Sequence, residues 1–280
     1  MLLKTLYITF VNEAQTFCER LNEQNETCEC SVERDEDWGN KIVLHKTSMN
    51  KELINDLSLV LVSVFNSFRL LQIVEKIVRE TYYYEDQTEI QRIIELFQEM
   101  ILEQDKRGWP TYKNKRLHNI VHKIFSEQLH QSDTFHYDSV VKFCLNPLKD
   151  ELIPEVGFVI DDFKREEEHQ AFIQMVREHV AKKSSNCDVL YLLQGRNFQY
   201  YTENGERLRK EHLQPYMGQT PLYLFGLGLD EWNLAPLIAL SPKHIIIYSD
   251  QLSESKTLAI INVFQERVIV RPLSEFPFDI

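Results

Sequence analysis

The sequence predicts a mixed α+β chain in three parts: a small N-terminal β-α-β-β unit over residues 1–50, a helical middle region over 51–183 and a C-terminal α/β domain over 184–280. Three observations predict it. Short alternating or β-branched runs occupy both ends of the chain, whereas the middle carries apolar residues at helical spacing. Near the C-terminal end, strand, helix and strand succeed one another over short connections, the pattern of a parallel crossover pair.

Residues 2–11 read as a strand, after which Asn12 can cap a helix carrying Ala14, Phe17, Cys18 and Leu21. Two further strands, near 28–32 and 41–45, flank the acidic turn ERDEDWGN. Such a unit is too small to bury much surface alone and must pack on the helical region next in the chain. From 51 to about 79 the apolar residues fall on nearly every side of a helical projection, as in a helix buried all round; a strand over 59–64 is the alternative. Tyr82, Tyr83 and Tyr84 make a bend, and Asp86 or Thr88 caps a helix with Ile90, Ile93, Ile94, Phe97 and Ile101 on its stripe, ended by Gly108 and Pro110. A further helix spans about 111–129.

Residues 150–183 read as one long helix with a fault in its period. Ile153, Val156, Ile160 and Phe163 cluster on one side, and Phe172, Ile173, Val176 and Val180 on the opposite side. Either one helix packs against two layers or the helix breaks near 164–170; a junction between the helical region and the last domain fits best. After Ser184 the strands 189–193 and 198–202 form a hairpin, with Glu203-Asn204-Gly205 as the following turn. Then come a strand LYLF, a helix over 230–239, the strand IIIYS, a helix over 253–264 and the strand VIVR.

With 280 residues, 43% of them apolar and 26% charged, the composition is that of globular material with a real core. The longest apolar runs, such as LVLV, fall far short of the roughly 20 residues that cross a bilayer, and the first fifteen residues lack a small-residue cleavage pattern. These features predict a soluble, cytoplasmic protein. A net charge of −12 works against nonspecific binding to DNA or anionic membranes, so any nucleic-acid contact would need a local patch. Five cysteines at irregular spacing, Cys18, Cys28, Cys30, Cys144 and Cys187, argue against a disulfide framework and for reduced thiols.

Three segments carry a family likeness. In FHYDSVVKFCLNPLKDELIPEVGFVIDDFKREEEHQAFIQMVREHV, residues 135–180, the relevant positions are Asp138, Phe143, Leu145, the run Glu166 to Glu168, and Phe172-Ile173. The others are IVRETYYYEDQTEIQRII at 77–94 and LIALSPKHIIIYS at 237–249. Together they resemble the YtxC-like family, with Ser139, Cys144 and His169 departing from its glycine, arginine and aromatic. The resemblance implies a role in endospore formation and brings no established biochemical activity with it.

Candidate chemistry is sparse. Two Glu-x-x-His steps, Glu127 with His130 and Glu166 with His169, set carboxylate and imidazole on one helix face, the arrangement of di-metal carboxylate bundles, with Asp162 on the stripe of the second. The plainer alternative is a solvated acidic turn and an ordinary helix end. His118 and His122 are one turn apart, but Asn119 stands where a zincin needs Glu. Cys28 and Cys30 share a face of a strand without a second pair to complete a zinc site. One basic cluster, Lys106, Arg107, Lys113, Lys115, Arg116 and Lys123, is interleaved with Trp109, Tyr112, His118 and His122, and either meets an anionic partner or pairs with the chain's own acids. Gly226-Leu-Gly228 lacks the remaining marks of a phosphate loop.

No complete catalytic or cofactor motif is present, and no cofactor is expected. The sequence therefore points to a non-enzymatic interaction protein, with a protein partner or a second copy as its ligand. A homodimer could use the apolar 51–79 helix or the Tyr82–Tyr84 bend. Anion or nucleic-acid binding through the basic cluster, or a metal-dependent enzyme built on the Glu-x-x-His steps, are the alternatives.

Overall fold

A computed structural model describes residues 5–24, 29–45, 51–131, 133–195 and 197–278. The chain divides into two compact units, one up to Lys164 and one from Arg165. In the first, β1 (Thr5–Ile8) leads into α1 (Val11–Gln24), followed by β2 (Glu29–Asp35) and β3 (Gly39–His45). β2 and β3 form an antiparallel hairpin whose turn is held by Asp35, which accepts the N–H groups of Asp37 and Trp38. Gly39 closes it at φ +89°, and a side chain there would press on the Thr9 backbone.

The middle of the first unit is helical. α2 (Lys51–Phe68) and α3 (Leu70–Glu80) succeed each other with a bend of 49°. Asp86 caps α4 (Gln87–Ile101) by accepting from the N–H groups of Thr88 and Glu89. A hairpin of β4 (Leu102–Gln104) and β5 (Pro110–Tyr112) precedes α5 (Lys115–Gln131), and β6 (Thr134–His136), α6 (Tyr137–Phe143) and α7 (Asn146–Lys182) complete the run. β6 lies parallel to β1, giving the sheet order β2-β3-β1-β6. Phe17, Leu57, Phe65, Phe97, Phe125, Phe135 and Tyr137 are sealed in one core with the apolar faces of α1 to α5. Each such side chain contributes about 1.5–3 kcal/mol of burial. The small N-terminal sheet thus finds the surface it lacked in the helices after it.

α7 is one helix serving two cores. Leu148, Leu152, Val156, Val159 and Phe163 belong to the first, and Ile173, Val176 and Val180 to the second, which accounts for the opposed stripes in its period. Gly157 of this helix leaves room for Tyr82, whose hydroxyl donates to the Ile153 carbonyl at 2.8 Å.

In the second unit, β7 (Val189–Leu193), β8 (Gln199–Tyr201) and β9 (Arg207–Leu208) are followed by α8 (Lys210–Gln219), a 3-10 turn at Leu222–Phe225 and α9 (Ala235–Leu240). β10 (His244–Tyr248), α10 (Ser255–Phe264) and β11 (Val268–Arg271) come last. The sheet runs β11-β10-β7-β8-β9, parallel among β7, β10 and β11 and antiparallel at β8 and β9. Leu190, Leu192, Ile245 and Ile247 face a core shared with α8, α9 and α10. On the other face Tyr191, Tyr201 and Tyr248 are covered by Leu273, Phe276 and Phe278.

Several expectations change. The first strand ends at Ile8, short of the predicted residue 11, and α1 starts at Val11, with the Ala14 N–H on the Phe10 carbonyl, so Asn12 lies inside the helix rather than at its cap. The apolar run from residue 51 is shared by two helices, Lys51–Phe68 and Leu70–Glu80, which meet in a bend at Arg69, and no strand forms over 59–64. LYLF is a 3-10 turn closed by Gly226 in the left-handed region rather than a strand. β4, β5 and β6, of three residues each, are too short to show a period. Cys18 and Cys30 are joined in a disulfide, against the expectation of reduced thiols, because α1 packs on β2 and brings their Cα atoms to 5.2 Å. Cys144 and Cys187 are free, and Cys28 lies outside the described residues.

Among the described residues no single helix is long and apolar enough to cross a membrane. α2 and α3 together have the length and composition, but Leu57, Val60, Leu61, Val64, Phe65 and Val74 are all inside the first core.

Candidate functional site

Several charged groups of the first unit are turned on one another. Glu13 of α1, Arg69 between α2 and α3, and Asp138 of α6 form a triad at the edge of the core. The Arg69 guanidinium pairs with Glu13 and donates to Asp138 at 2.6 Å, and the other Asp138 oxygen accepts the Thr9 N–H at 2.9 Å. Burial works against the Arg69 cation, but the hydrogen bond and charge of Glu13, together with Asp138, outweigh it and raise its pKa. Asp138, one of the family-like positions, thus ties the end of β1 to the helices.

Four of the six cations of the predicted basic cluster have partners within the chain. Arg107 is held by Asp105 and Gln24 and lies 4.0 Å from the Trp109 ring centre. Lys113 donates to the Glu99 carbonyl at 2.5 Å, Arg116 pairs with Glu151 at 2.6 Å, and Lys123 pairs with Glu127 at 3.8 Å. Lys106 and Lys115 remain exposed to solvent.

The predicted metal ligands are dispersed in a similar way. Glu127 is the partner of Lys123, and the His130 ring nitrogen Nδ1 lies 2.7 Å from the Ser126 carbonyl of its own helix. Glu166 and His169 are exposed and Asp162 half-buried on α7. Among the described residues no group of three or more His, Cys, Asp or Glu side chains is placed to hold a metal ion. His118 and His122 do stack, at 6.1 Å between ring centres, with His118 Nδ1 3.3 Å from the Thr111 hydroxyl. Burial lowers the pKa of both, and His118 lowers that of His122 further.

Two surface features of the second unit were not singled out from the sequence. One is a half-open cleft of about 580 Å³ beside the β8–β9 edge, lined by Phe198, Tyr200, Leu208 and Trp232 on the apolar side and by Arg207, Arg209 and Lys210 on the polar side. Tyr200 is fully sunk, and its hydroxyl donates to the carbonyls of Trp232 and Asn233 at 2.6 and 2.9 Å, which fixes that wall. Glu231 accepts three successive N–H groups, those of Asn233, Leu234 and Ala235, so the turn carrying Trp232 is held as well. Lys210 Nζ lies 4.6 Å from the Trp232 ring centre. The local signal, ERLRKEH, averages to almost no net charge, which is why it passes unnoticed.

The other feature is a ledge over residues 217–229, thirteen positions without a charged side chain. The 3-10 turn sinks Leu222 and Phe225 into the core and thereby turns Tyr223, Leu224 and, past Gly226, Leu229 outward, at 78%, 56% and 58% exposure. Tyr223 and Leu229 line a shallow depression with Met217, Pro221 and Leu227.

A mixed sheet, a helical middle and a C-terminal parallel sheet edged by a hairpin make this an α+β molecule, in which no metal-binding group is assembled among the described residues. The YtxC-like family matches residues 55–269, and the chain belongs to it. The uncharacterised protein YtxC of Bacillus subtilis (strain 168) is 29% identical over 204 residues, which cover 71% of this chain and 70% of that one. No solved structure matches.

Proposed function

We propose that the protein is a sporulation-associated, non-enzymatic interaction protein that acts through self-association. The observation that carries this reading is the uncharged ledge with Tyr223, Leu224 and Leu229 exposed. Contiguous apolar surface of this kind favours a protein partner. A second copy suits it best, because in a chain of net charge −12 an uncharged patch meets itself without opposing like charges. The helices of residues 51–80 no longer need a partner, since the first core covers them. The sporulation context rests on the family likeness.

Sedimentation velocity from 1 to about 100 μM is the test, since a standard dimer interface gives dissociation constants within or below that range. The wild type is expected to shift to a dimer, and Tyr223→Glu with Leu224→Glu to remain monomeric. Heat-resistant spore titre is expected to fall in a strain lacking the gene. A wild type that stays monomeric throughout, with an unchanged titre, overturns the reading.

A further inference from the structure

The cleft at the β8–β9 edge gathers cations that have no carboxylate partner among the described residues. Several other cations of this acidic chain do meet one, among them Arg69, Arg79, Arg107, Arg116, Lys123, Lys243 and Lys256. Among the described residues Arg207, Arg209 and Lys210 do not form an ion pair, although Glu206 and Glu211 flank them in sequence and Glu211 itself lines the cleft. Three unpaired cations within four positions repel one another, so their gathering is favourable when an anion neutralises them. They are also brought to the opening of a concave site rather than spread over a convex one. Arg207 belongs to the edge strand β9, and Arg209 precedes α8, a ten-residue helix whose first N–H groups add partial positive charge at the same place. The same cleft is lined by Phe198, Leu208 and Trp232, with Lys210 against the Trp232 ring and the turn of Trp232 fixed by the hydrogen bonds of Tyr200 and Glu231.

We propose that this cleft binds a small organic phosphate, its phosphate held by Arg209 and Lys210 with Arg207, and its organic part laid against Leu208, Phe198 and Trp232. A planar guanidinium suits the forked geometry of a phosphate, and Lys210 adds a point charge. The volume of about 580 Å³ lies in the range of small-molecule sites and admits a group of nucleoside monophosphate size. Inorganic phosphate alone fills only the charged end, so the organic part should add affinity. The site is independent of the uncharged ledge and of any self-association there.

The test is calorimetric titration of the full-length protein with inorganic phosphate, AMP and a twelve-nucleotide single-stranded DNA. Trp232 fluorescence is followed in a Trp38→Phe, Trp109→Phe background, where it is the remaining tryptophan. AMP is expected to bind at least tenfold more tightly than phosphate, to perturb Trp232 emission and to weaken as salt rises. Arg209→Glu with Lys210→Glu should weaken AMP at least tenfold, and the milder Arg209→Ala with Lys210→Ala should weaken it while leaving circular dichroism unchanged. Lys113→Glu with Lys115→Glu should have no effect. Binding that survives both cleft variants, or no binding of AMP at millimolar concentration, overturns the proposal. Tighter binding of the oligonucleotide through the same residues overturns the small-molecule reading in favour of a nucleic-acid surface.

Discussion

The two basic stretches of this chain, residues 106–123 and 207–210, have cations of the same chemistry and different fates, most of those in the first being paired and, among the described residues, none of those in the second. In the first, Arg107 meets Gln24 from 83 positions earlier and Arg116 meets Glu151 from 35 positions later. In the second, two arginines and a lysine line a cleft where, among the described residues, they form no ion pair. The difference teaches that charge density along a sequence does not show where charge is available. The fold decides that, by what it carries to each cation from far away.

The largest effect should come from the most deeply engaged cation. Arg69→Met leaves Glu13, 5% exposed, without its partner, and Asp138 with only the Thr9 N–H. Breaking a buried pair costs about 3–5 kcal/mol, and about 3 is expected here because Asp138 is 32% exposed. Urea denaturation of the purified protein measures it. A loss below about 1 kcal/mol would place the triad among ordinary surface pairs and erase the contrast between cations held by the fold and cations left to a ligand.

Arg107→Ala should cost about 1 kcal/mol, since it removes the pairing with Asp105 and the packing on Trp109 together. In the same stretch, Lys113→Glu with Arg116→Glu should leave heparin retention unchanged, because Lys113 is held by the Glu99 carbonyl and Arg116 by Glu151. A marked fall in retention would show that the stretch is open after all.

Next in size is a pH effect at His118 and His122. Burial lowers both from the ordinary 6.5, so the unfolded chain takes up protons first as pH falls. Their contribution to stability is intact above about pH 6.5 and is lost as pH falls from there toward the lower folded-state values. His118→Gln with His122→Gln should therefore flatten the drop in Tm between about pH 7 and 5 relative to the wild type. An unaltered slope would mean that these rings titrate as they do in water.

How far these features were legible in the sequence depends on their range. Helix caps and long apolar stripes depend on residues a few positions apart, so Asp86, the α4 stripe and the opposed faces of α7 could be read directly. β6 could not, because its three residues are a strand only through pairing with β1, some 129 positions away. The disulfide likewise needed α1 to lie on β2 before Cys18 and Cys30 could meet. In the candidate site, Trp232 joins Lys210 across a turn fixed by Glu231, and no local pattern announces that meeting. The basic cluster of 106–123 was legible as charge, whereas the partners of Arg107 and Arg116 were not, because Gln24 and Glu151 lie far away in sequence.

The smallest stability effect is the one that sharpens the comparison most. Arg209→Ala and Lys210→Ala should each change unfolding free energy by no more than about 0.5 kcal/mol, since neither cation holds an ion pair among the described residues. Removing mutually repelling charges from the edge of the sheet could even stabilise the apo protein slightly. A cation held for structure is lost at a cost to the fold, as with Arg69, whereas one held for a ligand is lost at a cost to binding alone. If instead either alanine variant unfolds at markedly lower urea, the cations of the cleft are structural, and the two basic stretches differ only in which partners they have found.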